Sequence, residues 1–491
     1  MSTHAGSSRN LTLVMDLYEL TMAYNYFKQG TKDQYVYFDM YYRANPDNGG
    51  YAIFAGLEQL IEIIEDLHFS DFDIDYLRSL DKFDEEFLEY LKNFRFTGDI
   101  YSVKEGEIVF PNEPLVTVKA KFIEAQLIET LLLVTVNHQS LVATKTRRIV
   151  NEAKGRPVLE FGARRAQGYD GAVYGARAAF IGGADGSATV MAGQYFDIPL
   201  VGTMAHSFVQ SFDSEYEAFK AYALTYPDSC VLLVDTYDTL KSGVVNAIRI
   251  AKEVLAPMGK KLGGIRLDSG DLAYLSKKAR AMLDGAGLSE VKITASNALD
   301  EYLIRSLLDQ GAAIDSFGVG ENLIVSKSAP VFGGVYKLVA IERDGQIIPK
   351  IKVSENVAKI TNPGYKKVYR LYDLQDHKAI GDVIGFAHEI MDSQKDITIY
   401  HQSNLWKFKR IKAGTYKIQE LQVPVFIDGV KVYDEPDIHE IQAYCMSQKE
   451  KMWQEIFRLE YPHTYYVDLT KELLNHKLKM LEEIRGVEND D

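Results

Sequence analysis

Apolar positions recur with two periods along this 491-residue chain. Over residues 11 to 30, Leu13, Leu17, Leu20 and Tyr24 share one face of a helix. YVYFDMYYR then alternates as a strand does, and AIFAGLEQLIEIIEDL and DKFDEEFLEYLKNF predict two amphipathic helices. FTGDIYSVKEGEIVFPNEPLVTVKA breaks into short strands at Gly, Pro and Asn turns, which predicts a small β-rich module. The most apolar stretch, LIETLLLVTVNHQSLVATK, contains Glu129, Asn137 and His138; it is too interrupted for a membrane span and reads as a core helix. ATKTRR at 143–148 reads as a solvated helix face, as do DEEFLEYLKNF and KLKMLEEIR.

From about residue 155 the period changes. Short apolar runs, each ending in small and polar residues, follow one another: RPVLEFGARR, AFIGGADGSATV, IPLVGTMAHS, CVLLVDTYDT, KLGGIRLDSGD, VKITASNALD, IDSFGVGEN and GGVYKLVAI. Helical patterns such as EYEAFKAYALTY, SGVVNAIRIAKEVL and LAYLSKKARAMLDGAG lie between them. Repeated β-loop-α units imply parallel strands wrapped by helices, and so many units are naturally closed into a barrel. Beyond about 345, short strands (KVYRLYDL, DITIYHQ) mix with charged helices (EIQAYCMSQKEKMWQEIFRLEY, LTKELLNHKLKMLEEIRG). The expected organisation is therefore an α/β protein with an N-terminal α+β domain (1–150), an irregular TIM-like α/β barrel (151–345) and a C-terminal α+β extension (346–491) that packs back on the N-terminal domain.

Composition narrows the function classes. The net charge of −14 argues against a general nucleic-acid binder, which needs a basic face. Two cysteines, Cys230 and Cys445, allow no disulfide framework and no Cys-rich metal site, which fits a reducing cytoplasm. The first twenty residues lack the basic start and apolar core of a signal peptide. A soluble cytoplasmic protein without membrane contact is expected.

In such a barrel the site lies where strands end, and residues able to do chemistry collect there. Phe161, Arg164 and Arg165 follow the first run, and Thr203, His206 and Ser207 the third. Asp235 and Asp238 follow the fourth, Arg266, Asp268 and Asp271 the fifth, Ser296 and Asn297 the sixth; Gly318 and Gly320 close the seventh. Taken singly, each has a plain reading. A lone His is more often a hydrogen-bonded structural residue, an Arg pair a surface ion partner, FGVG a tight turn, and DSGD a helix cap through Ser269 or Asp268. Their shared register tilts the balance. Arginines suit carboxylate or phosphate, glycines let backbone N–H groups approach phosphate, and Asp235, Asp268 and Asp271 are hard oxygen ligands of the kind that hold Mg²⁺ together with substrate phosphates. A phosphate-rich substrate with a magnesium ion is expected.

EFGARRAQG, GTMAHSF, VDTYDT, IRLDSGD, FGVGEN and GGVYKL, in this order, resemble the nicotinate phosphoribosyltransferases, type II phosphoribosyltransferases. DLYELTMAYNYF and YYRANPDNGGYAIFAGL extend the resemblance to roughly residues 11–345. The resemblance implies the joining of nicotinate to phosphoribosyl pyrophosphate, giving nicotinate mononucleotide and pyrophosphate, with coupled ATP hydrolysis, in NAD salvage. It implies a homodimer whose sites are shared between subunits. By motif, Phe161 and the partner subunit's Tyr18 sandwich the pyridine ring, and Arg164, Thr203, Ser207 and Arg266 surround the nicotinate. His206 is the phosphoryl acceptor from ATP, Asp235 orients it, and Asp268 lies near ribose and metal, with Asp235 and Asp268 as the metal ligands. Arg43, Arg165, Ser296, Asn297, Gly318 and Gly320 serve the phosphoribosyl group, Arg43 across the dimer interface. Glu321 departs from the family pattern, which often has Thr there, and a carboxylate beside a phosphate is repulsive unless it points away or meets the metal.

Four rivals remain. A nicotinamide-specific relative would read the amide with a carboxylate; GGADGSATVMAG offers Ser187 and Ala188 near the ring, with Asp185 a little earlier as the residue of concern. A quinolinate enzyme should need more cations in its core motifs. A nucleotide-binding barrel without catalysis, or an unrelated barrel lyase or isomerase, shares the fold class but not this set of motifs.

Overall fold

The helix expected over 11–30 forms as Leu17–Lys28. Its start is set by the Glu19 carboxylate, which accepts from the Asp16 N–H (3.1 Å). The structure is a computed structural model and describes residues 9–354, 359–404 and 406–487. The described chain divides into two compact units: residues up to Leu141 together with those from Val331 on, and Val142–Pro330. The three expected stretches thus fall into two units, the first and third sharing one.

In the first unit, seven antiparallel strands run in the order Gln346–Pro349, Gly334–Arg343, Tyr35–Tyr42, Val116–Lys121, Asp99–Val103, Gln422–Ile427 and Val430–Lys431. Tyr35–Tyr42 is buried almost along its whole length, not on alternate residues. Its polar Asp39 is satisfied inside by Lys366 (2.8 Å) and by the Thr117 hydroxyl (2.8 Å). GGVYKLVAI does not continue the parallel series, as its pattern suggested. It pairs antiparallel with Tyr35–Tyr42, because its apolar positions complete this core instead. The expected β-rich module supplies Asp99–Val103 and Val116–Lys121, and the tail strand Gln422–Ile427 pairs with the former. A second, mixed six-stranded sheet is built from the tail alone.

The second unit holds six parallel strands in the order Gly186–Ser187, Val158–Glu160, Ser316–Val319, Lys292–Ala295, Gly264–Leu267 and Val231–Leu233. IPLVGTMAHS contributes a single parallel bridge, Ser187 to Leu200. Among the described residues, no pairing joins Leu200 to Val231–Leu233, so the ladder has two ends. In AFIGGADGSATV the leading apolar residues end the helix Gly168–Ile181, and only Gly186–Ser187 is strand.

ATKTRR is not a solvated face. Thr144, Lys145, Thr146, Arg147 and Arg148 are all buried. Lys145 (2.8 Å) and Arg148 (2.9 Å) both reach Glu301, which is itself buried at the start of the helix Glu301–Asp309. Charge in a helical pattern signals solvent only when no counter-charge is folded against it, and Glu301 lies some 150 residues downstream.

Candidate active site

Because the six strands are parallel, their carboxyl ends share one edge. Phe161 follows Glu160, Asp235 follows Val234, Asp268 follows Leu267, Ser296 follows Ala295 and Gly320 follows Val319. His206 opens the short helix His206–Gln210 after the Leu200 bridge.

Arg266 leaves its strand toward the 203–204 segment. It donates to the Thr203 hydroxyl (2.8 Å) and to the Met204 carbonyl (2.9 Å). Its Nε is buried and unpartnered among the described residues. Burial pulls the guanidinium pKa down, Asp268 and Asp235 push it back up, and nearby Arg164 pulls it down again. Arg164 is thus close enough to repel Arg266, and it is exposed. A desolvated guanidinium with a second cation close enough to act on it suits an anion.

The imidazole of His206 is held on both sides. Nδ1 lies 3.1 Å from the Thr236 hydroxyl, and Nε2 lies 3.6 Å from Asp268 Oδ2. The carboxylate beside the ring is therefore Asp268, not Asp235 as the motif implied. Asp235 is engaged elsewhere: its Oδ2 accepts from the Asp268 N–H (2.9 Å) and the Ser269 hydroxyl (2.6 Å). Its Oδ1 is buried without a partner among the described residues. The hydroxyl of Ser296 donates to Asp268 Oδ1, and Asp271, not Asp268 or Ser269, caps the next helix through the Tyr274 N–H (3.0 Å).

Phe161 lies over Gly318. A β-carbon on Gly318 would sit 2.4 Å from the ring, so this glycine leaves the space in which the ring rests. Gly318 was expected at phosphate; its open side is taken by Phe161. Gly320 instead abuts the Phe161 carbonyl (3.2 Å to a built β-carbon) and precedes the short turn Glu321–Ile324. Under the shelf, the buried Glu160 accepts from the Gly162 N–H, the Ser187 hydroxyl (2.6 Å) and the Thr189 hydroxyl (3.4 Å). Burial raises its pKa and these donors lower it.

Asp185 accepts from the Val158 N–H (2.9 Å), at the start of the strands and so at the edge opposite His206. It cannot read a ring bound over Phe161. Glu321 meets Lys327 (2.6 Å) and Arg165 (3.8 Å), and Lys327 lowers its pKa. Its charge is answered locally, and Arg165 is partly taken up by it. Asn297 and Ala298 both have positive φ (91° and 50°), and Asn322 Nδ2 donates to the Ala298 (2.8 Å) and Leu299 (3.2 Å) carbonyls. Ser207 and Asn297 are exposed.

Tyr18 and Arg43 belong to the first unit. Tyr18 is 44% exposed on its helix, and burial together with Glu129 raises its phenol pKa. Arg43 lies over the Tyr41 ring (5.9 Å) with Nε buried and unpartnered among the described residues. Thr236, Glu160 and Asn322 were not singled out from sequence, and Ser269 was read only as a helix cap, whereas its hydroxyl donates to Asp235. Thr236 and Glu160 sit inside VDTYDT and EFGARR, so proximity to a chosen strand end was the signal that could have found them.

Family profiles match three stretches: the nicotinate phosphoribosyltransferase N-terminal domain over residues 13–137, the nicotinate phosphoribosyltransferase family over 157–371, and the C-terminal domain over 365–477. The nicotinate phosphoribosyltransferase of Bacillus subtilis is 46% identical over 97% of this chain and 96% of its own. The chain belongs to the nicotinate phosphoribosyltransferase family. The Dictyostelium discoideum nicotinate phosphoribosyltransferase is 37% identical over 94% of this chain and 87% of its own. The crystal structure of human nicotinic acid phosphoribosyltransferase superposes with a TM-score of 0.83 at 28% identity, covering 96% of this chain and 100% of that one. Within this family the strand-end residues are a candidate active site, and among the described residues no helix is long and apolar enough to cross a membrane.

Proposed function

We propose that this chain joins nicotinate to phosphoribosyl pyrophosphate, forming nicotinate mononucleotide and pyrophosphate in NAD salvage, with ATP hydrolysis coupled through phosphorylation of His206. The observation that carries the reading is the Arg266 guanidinium, hydrogen-bonded to the neutral Thr203 hydroxyl and Met204 carbonyl at the strand edge that also carries Phe161, with Asp185 at the opposite edge. That charge pattern suits a carboxylate and not an amide. The pyridine ring rests on Phe161, and Tyr18 from a second copy covers its other face. Arg164, Arg266, Thr203 and Ser207 hold the acid.

The pyridine nitrogen is the nucleophile, so the protein's task is alignment. As the bond from C1 of the ribose to pyrophosphate breaks, the ring gains positive charge and the leaving group negative charge. The main chain around Gly320, with Ser296, Asn297, Arg165 and Arg43 of a second copy, holds the phosphoribosyl group. Mg²⁺ fits the donor set: the orphaned Asp235 Oδ1 and the neighbouring Asp268 supply two hard ligands, and phosphate oxygens complete the shell. When bound, it would stabilise the pyrophosphate charge.

For ATP coupling, the Thr236 hydroxyl accepts from Nδ1–H of His206 and leaves the Nε2 lone pair to attack the γ-phosphate, with ADP leaving. The phosphate adds about −1.5 to −2 charges beside Asp268 by analogy with other phospho-residues. The same reading includes closure of the parallel strands into an irregular TIM-like barrel, a homodimer with shared sites, and a cytoplasmic location. Turnover with phosphoribosyl pyrophosphate is compared for nicotinate and nicotinamide. Strong preference for nicotinate is expected; equal use, or preference for the amide, overturns the reading.

A further inference from the structure

The tail sheet carries a feature that the reaction leaves unused. A cavity of about 600 Å³ opens beside the strands Lys366–Asp373, Ala379–Phe386 and Phe408–Ile411, lined among others by Lys378, Lys409, Arg410, Lys412 and Trp453. Among the described residues, none of these four cations has a carboxylate at ion-pair distance. The two acids on the wall are turned to their own backbone: Asp373 accepts from the Gln375 N–H (2.6 Å) and Asp376 from the Lys378 N–H (2.9 Å). Lys409 is half-buried, with its ammonium 5.8 Å from the Trp453 ring and 5.0 Å from Tyr466. Burial lowers its pKa, Asp468 and Asp373 act in the opposite direction without reaching ion-pair distance, and a bound anion would offset the remaining cost.

Trp453 also lacks a parallel partner. Among the described residues its ring neighbours, His463, Tyr465 and Tyr466, meet it edge-on or tilted. An unstacked indole beside four cations without an ion pair among the described residues, in a cavity within the range that holds small ligands, combines a platform for a flat ring with a cradle for phosphate. We propose that this groove binds a nucleoside phosphate, its base against Trp453 and its phosphate among Lys378, Lys409, Arg410 and Lys412. The groove uses none of the residues assigned to the reaction above, so the proposal stands on its own set of residues.

The chain has two tryptophans, Trp406 and Trp453, and Trp406 is 74% exposed. The full-length Trp406→Phe variant therefore reports on Trp453 alone. In it, AMP should quench emission saturably, and adenosine or inorganic phosphate should do so at least about tenfold more weakly, since each supplies one of two contacts. Adding Lys409→Ala, or separately the exposed Lys412→Glu, should weaken the AMP response at least about fivefold while thermal melting and nicotinate turnover hold. Absence of a saturable AMP response overturns the proposal. So does phosphate acting as strongly as AMP, an AMP response unmoved by both lysine variants, or loss of turnover together with the response.

Discussion

Gly318→Ala tests the shelf at its tightest point. Gly318 has an ordinary φ, so alanine costs nothing in backbone strain and the effect is purely steric. The added methyl would meet the Phe161 ring at 2.4 and 2.5 Å, where ordinary contact begins at 3.4 Å. The ring must withdraw by about 1 Å, and Gly162 behind it is itself packed against Ile324, with a built β-carbon at 2.5 Å. Overpacking of this kind costs about 1–3 kcal/mol. If the cost falls on the ring's bound position, it corresponds to roughly a 5- to 150-fold loss at 1.4 kcal/mol per decade.

The assay is steady-state turnover with nicotinate varied, beside a thermal melt. KM for nicotinate should rise within that range, with the KM for phosphoribosyl pyrophosphate moving less. The control is the same substitution in a Phe161→Ala background. There the methyl has no ring to displace, and the two effects should not add. An unchanged nicotinate KM in Gly318→Ala refutes the shelf. An effect that persists undiminished without the Phe161 ring returns Gly318 to the phosphate and refutes the steric reasoning.

Four further outcomes are expected. His206→Asn should abolish transfer of label from γ-labelled ATP to protein, and label that persists removes His206 as acceptor. Thr236→Val should slow that labelling by about 5- to 10-fold, the worth of one hydrogen bond of about 1 kcal/mol, and Thr236→Ser should restore it. Asn322→Ala frees the Ala298 and Leu299 carbonyls next to two positive-φ residues, so the KM for phosphoribosyl pyrophosphate should rise by about tenfold, with a melting loss of a few degrees. Lys477, bonded to Asn362 (2.8 Å), has its pKa lowered from 10.5 to about 8 by burial. Between these values the unfolded chain binds more protons than the folded one, so the burial penalty is full below pH 8 and fades as pH rises to 10.5. The stability of Lys477→Met relative to the parent, measured by denaturant melts, should therefore fall across that window; a flat difference contradicts the burial argument.

The strand ends were legible because parallel strands share one direction: once β-loop-α repeats are seen, every residue after an apolar run lies at the same edge. What sequence could not supply was pairing across distance. GGVYKLVAI has the same apolar signature as the parallel runs, yet its partner is Tyr35–Tyr42, some 300 residues earlier. ATKTRR has the charge of a surface and is buried because Glu301 neutralises it. The choice between Asp235 and Asp268 as neighbour of His206 turns on side-chain direction at two adjacent strand ends, which no spacing encodes. Asp185 shows the converse: it precedes its strand, and a shift of two residues across a two-residue strand moves a carboxylate from one edge to the other.

The charges at this edge explain why a site for anions contains so many acids. A carboxylate left unbalanced beside Arg266 would compete for it with the substrate acid. Here each nearby acid has another partner. Glu321 is answered by Lys327 and Arg165, Glu160 by three donors, and Asp268 by the Ser296 hydroxyl. Arg266 spends its bonds on a neutral hydroxyl and a carbonyl, which hold it without discharging it. Of these acids, Asp235 keeps a buried oxygen without a partner among the described residues, a cost of about 1–3 kcal/mol. On the reading proposed above, this open oxygen is where a cation arriving with the substrate phosphates would bind. On the same reading, Arg266, whose hydrogen bonds go to neutral groups, would serve the acid, and the open carboxylate oxygen would serve the metal.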